Sequence, residues 1–342
     1  MRRSTRLGLV AIVVLVVLGG AYAAYWRIVA GRIEDGLVAW QQSAQARKID
    51  ASWRKLGVAG FPLAFRIELA DAALRDAALD PAPEIRLPAL TGDARPWDFA
   101  DWRLAAPQGL AAGLAAAGAR PPIKLAAHSA EGAVSLGPKG ATSLWLDLQQ
   151  ISAEAGGRIP IKAADAWITL PAQPPRTHTE PSLALALDLR QLQLPAPPPT
   201  MSDTIDDLAF AATVKGAVPN GPLVQAIGAW RDAGGTVELD RLRLKWGGLG
   251  ANASGTIALD QDLQPIAAFS GGIEGFGTIL SALVEAGRLG TEQAALAQIA
   301  LSALAKPGAD GQPQITTSFT IQNGKMYLGP AKLGDAPRIV WR

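Results

Sequence analysis

From Leu7 to Trp26 the chain reads LGLVAIVVLVVLGGAYAAYW, twenty residues without a charge. A helix of that length rises about 30 Å, enough to cross the hydrocarbon core of a bilayer. Arg2, Arg3 and Arg6 precede it, and Tyr22, Tyr25 and Trp26 close it. Those flanks follow the positive-inside rule and the interfacial aromatic belt. They predict a single-pass inner-membrane anchor, with Leu7, Leu15, Leu18, Tyr22 and Trp26 among its residues. Residues 1–6 are then a cytoplasmic basic tail, and the body lies in the periplasm. The rival reading is a cleaved signal peptide, with Leu7 to Leu18 as its apolar core and Ala21 and Ala23 as an A-x-A site. The anchor is preferred because the helical pattern runs on past Trp26 without a break. Either way the body leaves the cytoplasm.

Charge says where this body does not bind. Without Arg2, Arg3 and Arg6, the 32 basic residues fall to 29 against 30 acidic ones. A body so close to neutral has no field for gripping nucleic acid. Charged residues make up 18% of the chain, below the usual quarter, so much apolar surface is left either to bury or to use. There are no cysteines. In an oxidising compartment such a fold depends on packing and backbone pairing, and thiolate chemistry is excluded.

Beyond the anchor, Ile33, Leu37 and Trp40 keep a helical spacing, which predicts a stalk over residues 27–46. The period then drops to two. Ile49, Ala51 and Trp53 alternate with polar residues. After the turn Gly60-Phe61-Pro62, so do Leu63, Phe65, Ile67 and Leu69, which predicts an antiparallel pair. Short alternating stretches follow around Ile85, Trp102, Ile123 and Val134, with Pro88 and Pro96 marking strand breaks or an edge. Gly109 to Gly118 fits either a short helix or a loop. Leu183 to Leu189 forms an odd-numbered apolar row that slips to Leu192 and Leu194, and Val237 and Leu239 slip in the same way to Leu242, Leu244 and Trp246. Such slips are the mark of β-bulges, which bend a sheet.

The proline run from Leu194 to Thr200 separates a first β-rich half, 47–199, from a second, 200–342. Helices are expected near 222–233, 275–288 and 292–306. Near the C-terminus Asn323-Gly324 predicts a two-residue hairpin turn. Its register sets Ile321 against Met326, Phe319 against Leu328, Thr320 against Tyr327 and Gln322 against Lys325. The fold class is therefore α+β: a transmembrane helix, then a mostly antiparallel, strongly curved sheet with a few amphipathic helices.

Catalytic patterns are missing. His128 sits on a polar strand phase and His178 in a loop composition. The Gly-rich stretch from Trp246 to Gly255 leads into a strand, whereas a phosphate loop leads into a helix N-terminus. Asp203, Asp206 and Asp207 read as the opening of a strand rather than a metal cluster. The expectation is a protein that is not an enzyme and needs no cofactor. Trp145 and Trp167 stand on the phase opposite their strands' leucines. They are either covered by a second layer or form a candidate face for an apolar ligand.

Several short stretches resemble a bacterial envelope family catalogued as domain of unknown function 2125. They are the apolar N-terminal segment, Trp40, Trp53, Gly60-Phe61-Pro62-Leu63-Ala64-Phe65-Arg66, Pro96-Trp97, Leu244-Lys245-Trp246-Gly247, Leu263-Gln264-Pro265 and the closing Ile321 to Pro330. That resemblance implies placement and fold more than activity. More loosely, Gly-punctuated strands after one anchor are similar to AsmA-type envelope proteins, which implies lipid movement between membranes. The resulting expectation is a membrane-anchored periplasmic protein that binds or carries lipid or another apolar envelope component. A ligand-free structural or adaptor role with envelope proteins as partners is the alternative.

Overall fold

The computed structural model describes residues 2–116, 121–138, 140–198, 200–307 and 313–341. One helix, α1 (Arg2–Ala46), carries the chain from the N-terminus to the first strand. Its side chains are described from Ile12 onward, so the side chain of Leu7 lies outside that description. The span from Ile12 is long and apolar enough to cross a membrane, and none of its most apolar window is buried. A core helix of a soluble protein would be covered there; this one is bare.

Among the described residues eighteen antiparallel strands follow, with three further helices, so the α+β expectation holds. The chain divides into two compact units. The first is residues 1–136 with 154–156, and the second is residues 137–153 with 157–342. This seam differs from the one predicted at the proline run. The described residues of that run, 194–198 and 200, lie between paired strands of the second unit, and the amide of Leu194 donates to the carbonyl of Asp203 (2.7 Å).

The first unit contains β1 (Ile49–Ser52), β2 (Lys55–Ala59), β3 (Phe65–Asp76), β4 (Pro83–Arg95), β5 (Asp98–Ala106), β6 (Leu110–Leu114) and most of β7 (Ile123–Gly137). The expected single strand around Trp53 is two, β1 and β2, which pair with successive parts of β3. The interruption is local: Asp71 of β3 has φ 52°, and Arg54 pairs with its carboxylate at 2.5 Å. Pro88 falls in the same irregularity, opposite Asp71, where β4 exchanges β6 for β5 as its other neighbour. A residue with no N–H to donate loses nothing there. Residues 110–114 of the Ala/Gly-rich piece form β6, neither helix nor loop; its last residues, 117 and 118, lie outside the described ones. Helix α1 packs on β1 and β2.

The second unit contains β8 (Gly140–Ala155), β9 (Arg158–Thr169), β10 (Pro181–Gln193), β11 (Thr204–Lys215), β12 (Thr236–Trp246), β13 (Leu249–Leu259), β14 (Pro265–Glu274), the two-residue β15 (Lys306–Pro307), β16 (Pro313–Gln322), β17 (Lys325–Leu328) and β18 (Ala331–Asp335). From β9 to β14 each strand pairs with the next, and β14 continues to β16, β17 and β18. The hairpin at Asn323-Gly324 has all four predicted pairs, with both turn residues at positive φ. The predicted slip after Leu239 is a bulge: Asp240 and Arg241 of β12 take the space of one residue on either neighbour. The slip after Leu189 is different. Gln191 has φ 50°, and the ladder resumes at Leu192 in an unbroken register.

The remaining helices are α2 (Leu223–Asp232), α3 (Phe276–Glu285) and α4 (Thr291–Leu304), close to the predicted bounds. Trp230 holds α2 in place by donating its indole N–H to the carbonyl of Lys215 at 2.7 Å.

Little of this chain is deeply buried. It exposes 21470 Å², whereas a monomer of 35.6 kDa ordinarily exposes about 13,000 Å². Among the described residues, the buried apolar ones are mostly alanines, and Phe65 is the one large side chain that is fully buried.

Candidate apolar face and membrane-proximal cluster

Because side chains alternate across a strand, register decides which residues share a side of the sheet. On β10, Leu183, Leu185, Leu187 and Leu189 share one side. Opposite them on β11 are Val214, Ala212, Phe210 and Leu208. On β12 the same rows continue with Val237, Leu239, Leu242 and Leu244, because the extra residue at the bulge returns the leucines to this side. They run on through Ile257 of β13, Phe269 and Ile273 of β14, and Phe319, Ile315 and Ile321 of β16. Phe269 and Phe319 stack there with ring centroids 6.1 Å apart. None of these large side chains is buried; each keeps part of its surface in solvent. Beside Leu183 and Val214, a cleft of about 610 Å³ is walled by Leu170, Val218, Pro171 and Pro174.

The other side of these strands is ionic. Arg190 donates to Asp165 at 2.6 Å, Arg241 to Asp188 at 3.1 Å, and Arg243 to Asp207 at 3.0 Å. Asp147 of β8 lies 3.9 Å from the same Arg190. Burial pushes the Asp165 carboxyl up from its ordinary range; Arg190 opposes this, and the neighbouring Asp147 adds to it. Trp167 is on this side, across from Ala186 and two residues from Asp165. Trp145, two residues before Asp147 on β8, shares it by alternation. The candidate tryptophans therefore sit on a mixed surface of alanine, tryptophan and ion pairs. The larger and uniformly apolar side is the leucine side.

In the first unit α1 takes part in the packing. Phe65 lies between Trp26, stacked at 5.1 Å and 8°, and Phe99 at 5.3 Å. Phe61 meets Trp26 edge-on at 5.6 Å and Tyr22 at 6.1 Å. Polar groups fasten the same contact. The indole of Trp26 donates to the carbonyl of Ala64 at 3.0 Å, and the hydroxyls of Tyr22 and Tyr25 donate to the carbonyls of Pro62 and Pro96. Further along α1, Glu34 accepts from the amide of Val58 at 3.1 Å and Gln41 donates to Ala51 at 2.7 Å. Of the predicted anchor residues, Leu15 and Leu18 are exposed, while Tyr22 and Trp26 bind the body.

Five of the ten tryptophans are fasteners. Trp26, Trp102, Trp230, Trp246 and Trp341 each donate the indole N–H to a backbone carbonyl. Alternation along one strand could not have shown this for Trp26, Trp230, Trp246 and Trp341, whose acceptors lie 15 to 78 residues away in sequence.

No curated protein and no solved structure matches the chain, and the looser AsmA-type likeness has no counterpart in these comparisons. A family described as uncharacterized protein conserved in bacteria (DUF2125) matches residues 26–337. That match begins at Trp26, the residue that joins helix to body, and runs through the C-terminal hairpin, so the chain belongs to this bacterial family.

Proposed function

We propose that this protein is a single-pass inner-membrane protein whose periplasmic body holds an acyl chain or another apolar envelope component along its leucine side. One observation carries the reading. The side running from Leu183–Leu189 through Phe210 and Leu242 to Phe319 is continuous, apolar and only half-buried. Exposed apolar surface of this extent in a monomer ordinarily marks a binding surface. The reading is non-enzymatic: the carboxylates of the opposite side are engaged by arginines, leaving the site apolar shape rather than reacting groups.

The anchor is favoured over a cleaved signal because body contacts lie on both sides of the Ala21–Ala23 site. Tyr22 holds Pro62, and Trp26 holds Ala64. The test is photocrosslinking in cells. A benzophenone amino acid at Phe210 or Leu242 should form adducts whose mass is that of a lipid, while one at Arg241 or Arg243 should not. Protein adducts from the leucine side would favour the adaptor role instead. No adduct from either side would end the ligand reading.

A further inference from the structure

Two turns of the first unit reach the helix at the level where it leaves its apolar span. One joins β2 to β3 and carries Phe61, Pro62 and Leu63; the other joins β4 to β5 and carries Pro96 and Trp97. Tyr22 and Tyr25 donate to the carbonyls of Pro62 and Pro96, one tyrosine to each turn. Yet the side chains at both tips face solvent: Phe61 is 52% exposed, Leu63 71% and Trp97 69%. Trp97 is the most exposed tryptophan of the chain, and among the described residues its indole has no backbone acceptor of the kind that fastens five others. Arg27 and Arg95 flank the cluster, both exposed and without an ion pair among the described residues.

A soluble surface has no use for large apolar residues at two adjacent turn tips with cations beside them. A bilayer interface does. Aromatic rings settle at the headgroup level, arginines reach phosphates, and apolar tips enter the acyl boundary by about 5–10 Å. Position points to the same occupant. Tyr22 and Tyr25 stand where an interfacial belt belongs on α1, and the hydrogen bonds hold both turns at that height. We infer that the 61–63 and 96–97 turns form a foot that inserts into the outer leaflet around the anchor and seats the body directly on the lipid. This inference rests on reading α1 as a membrane anchor.

Its test uses the full chain, whose lack of cysteine allows one fluorophore per variant. Leu63→Cys, Trp97→Cys, Val16→Cys and Leu79→Cys are labelled and reconstituted in phosphatidylethanolamine/phosphatidylglycerol vesicles. The vesicles carry nitroxide lipids labelled either near the headgroup or deep in the acyl chain. Leu79 is an exposed control beyond the far end of β3, which joins the helix near Ala46, about 30 Å along α1 from Trp26. The expected result is quenching at 63 and 97 by the shallow nitroxide, at 16 by the deep one, and at 79 by neither. If 16 is quenched while 63 and 97 behave like 79, the foot is refuted and the anchor stands. If 16 is not quenched, the anchor fails and the foot with it.

Discussion

Phe65 joins the two materials of the first unit, helix and sheet, and its surroundings set what a change there costs. It is fully buried between Trp26 and Phe99. Phe65→Ala should destabilise the protein by about 3–5 kcal/mol, whereas Leu63→Ala, on an exposed tip, should stay within about 0.5 kcal/mol. Urea unfolding of the full chain in micelles, followed by tryptophan emission, measures both. A second residue-scale prediction concerns Asp165. Its carboxyl is raised by burial above the ordinary carboxylate range, so the folded state binds that proton more tightly than the unfolded state does. The stabilising contribution is therefore complete below the ordinary carboxylate range and is lost as pH rises through the raised value. Asp165→Asn should remove that part of the pH dependence, visible as the difference between the two proteins' denaturation midpoints across acidic pH.

At the scale of elements, alternation was legible wherever branched or leucine side chains stood on one phase. Leu183–Leu189 and Ile315–Gln322 needed nothing more, and Asn323-Gly324 fixed its own pairing through turn chemistry. Residues 110–114 escaped because alanine and glycine carry no period; their strand is made by the neighbours β4 and β7. The break between β1 and β2 escaped because its cause, the left-handed Asp71, lies on another strand. The bulge at Asp240 was visible as a slip of phase, and it can be tested as one. Inserting one alanine after Asp240, with the bulge kept, would turn Leu242, Leu244 and Trp246 to the ionic side and strand Arg241 and Arg243 on the apolar one. The insertion variant should be degraded or trypsin-sensitive in its second unit, while deletion of Asp240, which returns the strand to plain alternation, should fold.

At the scale of the whole molecule, the apolar helix and the half-buried leucine side are the two features on which the proposed lipid-binding role rests. The apolar helix itself was legible from the start of the sequence. That Tyr22, Tyr25 and Trp26 also bind the body was not, because their acceptors at Pro62, Ala64 and Pro96 are some 40 to 70 residues away. Those contacts make the apolar helix part of the fold. The most direct test is the state of the mature protein in cells. Spheroplasts carrying Leu79→Cys are treated with a membrane-impermeant maleimide, and the membrane pellet is then washed with carbonate and analysed by mass spectrometry. The account predicts a labelled protein that stays in the pellet and still contains the peptide from Leu7 to Trp26. A protein that begins after Ala23 and washes free, or one labelled only after lysis, would contradict it.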